Sequence, residues 1–152
     1  MPFRFRFKSL LRHRQFLLRE AQNELARAKH RQMQIQEQIR QTQACMAEQW
    51  RQWEEKQKEG MVAFQFLSFY EYIDSLERQL HTMKGELERA AIETDKRKEV
   101  MIDRDKAVKM LENLKETDKE AYRYFEAWGE QKQMDELAIF KDFRDRNTSG
   151  SE

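Results

Sequence analysis

Over the first third of the chain, apolar residues recur in alternating steps of four and three, at Phe7, Leu11, Leu18, Ala21, Leu25, Ala28, Ile35, Ile39, Met46 and Trp53. Arg14, Gln32, Thr42 and Gln49 fill the same register, so ten of its fourteen positions are apolar. Residues three and four apart share one face of a helix, and a stripe of this period calls for a second helix against it. Upstream the period changes. Phe3, Phe5 and Phe7 alternate with Arg4, Arg6 and Lys8, the two-residue spacing of extended chain, which predicts a short extended lead-in.

Gly60 predicts the end of this helix, because glycine enters the left-handed closing conformation without a Cβ penalty, and Lys56 and Lys58 suit the negative end of the helix dipole. Ser68 and Glu71 read as a capping box that starts a second helix, with Leu67 and Tyr72 placed as a hydrophobic staple. The stripe of helix two runs Ile73, Leu76, Leu80, Met83, Leu87, Ala90, passes through polar Thr94 and Arg97, and resumes at Val100, Ala107, Leu111, Leu114, Ala121, Phe125 and Trp128. Consecutive steps of three at Arg97 predict a stammer, a local overwinding of the supercoil.

The fold expected is all-α, two long helices in an antiparallel coiled-coil hairpin. Residues 1–146 make a single hairpin, with helix one over about 8–59, a turn over 60–67, helix two over about 69–143, and a disordered tail at 147–152. The apolar loop Met61–Leu67 either meets a partner or folds onto Trp50 and Trp53, and internal packing is the expectation. At about 1.5 Å per residue, helix one measures roughly 80 Å and helix two roughly 110 Å. With the turn centred near residue 64, numbers of facing residues sum to about 128, so Phe7 lies opposite Ala121 and helix two overhangs beyond about residue 125. The overhang carries Trp128, Met134, Leu137, Ala138, Ile139, Phe140 and Phe143. Each large side chain left in water forgoes roughly 1.5–3 kcal/mol, so a partner is expected there, the alternatives being the Phe3–Phe7 lead-in or a second copy.

Composition agrees with few, long elements. One proline and four glycines in 152 residues leave little chain for turns, and 38% charged residues with a mean hydropathy of −1.05 argue against a compact core. The net charge of +1 conceals a polarity: residues 1–40 hold ten Lys/Arg against three acids, +7, leaving −6 for the rest. Attraction between a basic first helix and an acidic second is the simplest account. Cys45 is the single cysteine, which leaves no intrachain disulfide and suggests a reducing, cytoplasmic setting. No apolar run approaches the roughly 20 residues of a membrane span.

Candidate chemistry is sparse. A two-helix hairpin has no interior to enclose a substrate, and no phosphate loop, dinucleotide fingerprint or zinc-protease motif occurs. His13, His30 and His81 fall at no metal-ligand spacing, and the neighbouring acids Asp103 and Asp105, or Glu54 and Glu55, read as a solvated helix face. Cys45, next to Met46, behaves as a small hydrophobe. The expectation is therefore a protein that is not an enzyme, with no catalytic residues, cofactor or metal. Arg4, Arg6, Lys8, Arg12, Arg14 and Arg19, interleaved with phenylalanine, could pair phosphates and stack bases, but no nucleic-acid-binding signature accompanies them and the later sequence is acidic. Contact of the same segment with an anionic membrane would be auxiliary.

Taken in order, a basic Phe-x-Phe-x-Phe start runs into Leu10-Leu11-Arg12, then a heptad helix, a glycine turn near residue 60, and a second helix ending in Gln131-Lys132-Gln133-Met134-Asp135-Glu136-Leu137-Ala138. With the stretch from Phe69 to Glu77, this order resembles the FliJ family, small coiled-coil proteins of the bacterial flagellar type III export apparatus. The resemblance implies a stalk, similar to the coiled-coil part of the rotary ATP synthase γ subunit, held in the ring of the export ATPase FliI. It also implies contact with the cytoplasmic part of the export gate FlhA, interaction with export chaperones, and a cytoplasmic place on the inner face of the inner membrane.

Residue by residue, the resemblance and the expected meeting of the termini assign ATPase binding to Arg4, Arg6, Lys8, Leu11, Arg12 and Arg14, and to Trp128, Lys132, Met134, Asp135, Glu136, Leu137 and Phe140. Gate binding falls to Tyr72, Leu76, Gln79 and Met83, with Gln38 and Thr42 of helix one. The stalk protein of a virulence injectisome would share this length and pattern, and a generic coiled-coil scaffold would share the heptads.

Overall fold

The computed structural model describes residues 2–60 and 62–150 and consists of two antiparallel helices packed together, α1 (Lys8–Glu59) and α2 (Ala63–Ser149). No strand occurs among the described residues. The α1 stripe holds along its whole length: every one of the fourteen positions from Phe7 to Trp53 is buried or half-buried, the polar ones included.

Gly60 takes φ 90° and its amide donates to the Gln57 carbonyl at 3.4 Å, closing α1. The second helix then starts earlier than the Ser68 signal predicts. The Val62 carbonyl accepts the amides of Gln65 at 3.0 Å and Phe66 at 3.3 Å, so most of the expected loop is the first turn of α2. Ser68 lies inside the helix, and Leu67 and Tyr72 are both exposed, so neither capping box nor staple forms. The physical reason is aromatic. Phe66 and Phe69, three residues apart, share a helix face and both reach Trp53, with ring centroids at 5.2 and 4.1 Å. Met61 lies outside the described residues. At the other end the helix continues to Ser149, through residues expected to be disordered, with the Ser149 hydroxyl donating to the Asp145 carbonyl at 3.1 Å.

The residues gather into two compact units. Phe16–Asp105 forms one. Ile35 and Ile39 of α1 meet Leu80 and Ala90 of α2, with Met46, Met83 and Leu87 packed around them. Nearer the turn, Trp50 meets Phe69 at 5.0 Å and the Cys45 thiol lies 3.6 Å from the Tyr72 hydroxyl. A turn centred near residue 64 would set Trp50 opposite about residue 78; with α1 ending at Glu59 and α2 already starting at Ala63, the register moves by about two helical turns.

The second unit comprises the segment ending at Gln15 and the segment from Lys106 onward. Phe5, Leu11 and Val108 are its buried side chains. The lead-in keeps its alternation without being a strand: Phe5 is buried, Phe3 and Phe7 half-buried, and Arg4, Arg6 and Lys8 exposed. Phe3, not Phe7, reaches the far end of this packing, against Tyr122 with centroids 5.6 Å apart, and Ala121 is exposed.

The inward face of α2 does not break at Arg97. From Thr94 its register continues through Met101, Arg104, Val108, Leu111, Asp118 and Tyr122, all buried or half-buried, while Arg97 and Lys115 at the intervening heptad positions are exposed. Val100 and Leu114, which the expected stammer would turn inward, are exposed. Thr94 is accommodated because its hydroxyl donates to the Ala90 carbonyl at 2.9 Å. Half-buried Arg104 can cover the seam with its aliphatic stem while the guanidinium stays wet.

Candidate partner-binding surfaces

Every residue of the expected ATPase surface belongs to the unit that holds both chain ends. On its N-terminal side Arg4, Arg6, Lys8 and Arg12 project into solvent, and the Arg6 guanidinium lies 4.9 Å over the Phe7 ring. Leu11 does not belong to this surface: it is only 6% exposed and serves the core, as the stripe requires. Arg14, another stripe position, is half-buried.

On the C-terminal side, the residues after Tyr122 are exposed through to Gly150 apart from half-buried Gly129. Trp128, Met134, Leu137, Ile139, Phe140 and Phe143 stand out from the helix, and sequence reasoning missed that Tyr124 and Phe125 join them. Phe125 and Trp128 contact at 6.3 Å, and the Lys132 ammonium sits 5.4 Å over the Trp128 ring. Gln133, Glu136, Leu137 and Phe140 line a shallow groove, while Asp135 accepts the Gln131 side-chain amide at 3.2 Å. Tyr122 closes the covered part: its hydroxyl donates to Glu126 at 3.0 Å, and partial burial followed by that carboxylate raises its pKa.

The profile of the family described as Flagellar FliJ protein matches residues 3–147. The chain belongs to the FliJ family. FliJ proteins are structural, non-enzymatic components of the flagellar protein export apparatus. Comparison with curated proteins and with solved structures finds no match. The family match takes in both halves of the surface just described, from Phe3 through the exposed end of α2.

The expected FliJ gate residues all lie in the unit Phe16–Asp105. Tyr72 is exposed, and its hydroxyl pairs with the Cys45 thiol, an interaction that raises the tyrosine pKa ahead of the thiol's charge and slight desolvation. Gln79 and Gln38 are exposed, and Thr42 is half-buried with its hydroxyl donating to the Gln38 carbonyl at 2.9 Å. Leu76, 7% exposed, is a core residue and no contact surface, and Met83 packs half-buried on the Ile35–Ile39–Leu80–Ala90 core. A further apolar group stands near the start of α2, where Val62, Phe64, Phe66, Leu67 and Tyr70 are exposed, Phe66 while also touching Trp53, beside half-buried Phe69. The signal for it was in the sequence: no charged residue occurs between Glu59 and Glu71.

Among the described residues no group of three His, Cys, Asp or Glu converges to hold a metal ion, and no helix is long and apolar enough to cross a membrane. The ion pairs seen on this FliJ chain run along single helices, as with Glu37–Arg40, Arg51 between Glu48 and Glu55, and Glu93–Arg97. These surfaces offer apolar anchors and fixed charge, the means of holding another protein.

Proposed function

We propose that the chain is the stalk of the flagellar export ATPase, gripped by the FliI ring at the unit carrying both chain ends. The observation that carries the reading is the run of exposed apolar side chains after Tyr122, left uncovered among the described residues, together with the basic Arg4–Arg12 segment of the same unit. Trp128, Leu137 and Phe140 are the anchors, Lys132, Asp135 and Glu136 fix orientation, Met134 adds adaptable apolar contact, and Arg4, Arg6, Lys8, Arg12 and Arg14 steer an acidic ring surface.

In this reading residues 1–146 act as one hairpin, as the γ subunit's coiled coil does in a rotary ATP synthase. Its turn-proximal flank meets the cytoplasmic part of the gate FlhA through Tyr72, Gln79, Gln38 and Thr42, and export chaperones dock on the same protein. The assembly sits in the cytoplasm, peripheral to the inner membrane, and binds no nucleic acid. Turnover of purified FliI, measured with and without the chain, tests the mechanism. Stimulation and co-purification are expected; failure of both removes it. A chain ending at Ala127 should lose the ATPase while its per-residue helicity stays nearly unchanged.

A further inference from the structure

Past Tyr122 the inward register of α2 runs on in steps of three and four through Phe125, Gly129, Lys132, Glu136, Ile139 and Phe143. Higher in the helix this register buries Val108, yet here Phe125, Ile139 and Phe143 are mostly exposed. The six positions have an inner symmetry. They are equally spaced about Met134, with an aromatic residue at each end, Gly129 and Ile139 next, and opposite charges, Lys132 and Glu136, at the centre.

We propose that this stripe pairs with itself, so that the exposed ends of α2 from two copies of the chain form an antiparallel two-helix dimer. With Lys132 of one copy opposite Glu136 of the other, two-fold symmetry repeats that ion pair, sets Phe125 against Phe143, and lets Ile139 fill the space over Gly129. Each layer joins the two alternating heptad positions, as antiparallel pairing requires. Parallel pairing would stack lysine on lysine and glutamate on glutamate, which selects the antiparallel arrangement. Trp128 and Phe140 border the seam and shield it from water.

The overlap is about 27 Å long, under three heptads, and Asp135 of both copies approaches the axis as a like-charge contact. The dimer is therefore weak, with a dissociation constant on the order of tens of micromolar. It forms whether or not the same surface also binds an ATPase.

Sedimentation equilibrium of the full chain, over about a hundredfold range of concentration, should show reversible dimerisation. Lys132→Glu alone and Glu136→Lys alone should each weaken it about tenfold or more, because each sets like charges across the seam. An equimolar mixture of the two variants should regain a dimer, now heteromeric, since every central pair is again of opposite sign. Both positions are exposed, and far-UV circular dichroism checks that helicity is kept. A chain that stays monomeric throughout, association indifferent to either substitution, or a mixture that fails to associate would each overturn the proposal.

Discussion

Trp53 of α1 lies nearly parallel to Phe69 of α2, with centroids 4.1 Å apart and 12° between the planes. Trp53 is among the most buried residues of the chain, and Phe66 and Trp50 touch the same pair from either side. This cluster draws the start of α2 back to Ala63. Trp53→Ala should cost about 3 kcal/mol, near the lower end for a large aromatic removed from a core, because water reaches one side of the cluster. Thermal unfolding followed by circular dichroism measures the loss. Hydrogen exchange should show the amides of residues 63–69 losing protection before those around Ile39 and Leu80.

Two glycines should respond in opposite directions to the same change. Gly60 has φ 90°, and an added Cβ would meet nothing within 4 Å, so Gly60→Ala costs only the backbone strain, about 1–2 kcal/mol. Gly129 is helical with equally open surroundings, and Gly129→Ala should stabilise the end of α2 by about 1 kcal/mol through helix propensity. Paired melting curves decide it; equal shifts for the two would mean that Gly60 does not hold the turn.

The unbroken inward face of α2 separates two valines of similar sequence surroundings. Val108, 5% exposed, should cost about 2 kcal/mol on truncation to alanine, whereas Val100, 44% exposed, should cost no more than about 0.5 kcal/mol. A stammer at Arg97 would reverse that order, so chemical denaturation of the two variants discriminates between the registers.

The same two residues show what the sequence could and could not convey. In α1 apolar side chains mark ten of the fourteen inward positions, and the stripe, the bounds of the helix and its glycine stop were all legible. In α2 the continuing register puts half-buried Arg104 and Asp118, and exposed Arg97 and Lys115, at its heptad positions, while apolar Val100, Ile102 and Met110 lie off it and are exposed, so apolar periodicity follows the wrong face. A two-helix seam tolerates this because long charged side chains can lay their stems on the seam and keep their ends in water. The start of α2 was obscured differently. The Ser68–Glu71 pair is a genuine capping pattern, but side-chain caps contribute about 1 kcal/mol and the Trp53 cluster outweighs them. Exposure at the end of α2 follows directly from helix lengths, and the stripes already mark Leu11 and Leu76 as seam positions, where the structure buries them; their assignment to partner surfaces comes only from the linear family motif, which carries no information about the seam.

Glu48 accepts hydrogen bonds from Arg51 and Gln52, and the Arg51 contact first, then that of Gln52, holds its carboxyl below the usual range; Glu37 is held down in the same way by Arg40. A carboxyl whose pKa is lower in the folded chain stabilises the fold above the ordinary carboxylate pKa, and the contribution is lost as pH falls through the depressed value. Both side chains are about half exposed, at 49% for Glu48 and 50% for Glu37, so the effect is small and screened. The thermal midpoint of the native chain should fall more steeply than that of Glu48→Gln as the pH is lowered from neutral through the carboxylate range, and high salt should bring the two curves together. Parallel curves at low salt would show that the pair adds nothing.

Leu11 and Phe140 test whether stability and partner binding are separately encoded in the unit they share. Leu11 is 6% exposed in the seam, and Leu11→Ala should cost about 2–4 kcal/mol, while partner affinity measured well below the melting temperature changes little. Phe140 is 68% exposed and contributes almost nothing to the isolated fold, so Phe140→Ala should leave the melting curve within about 0.5 kcal/mol of the parent. If the exposed end of α2 is the ATPase contact, the same change should weaken FliI binding by about 2 kcal/mol, the loss of one aromatic anchor, in a calorimetric titration. Binding that survives Phe140→Ala but fails in Leu11→Ala at low temperature would move the contact to the N-terminal side of the unit, where Arg4, Arg6, Lys8 and Arg12 are the exposed groups.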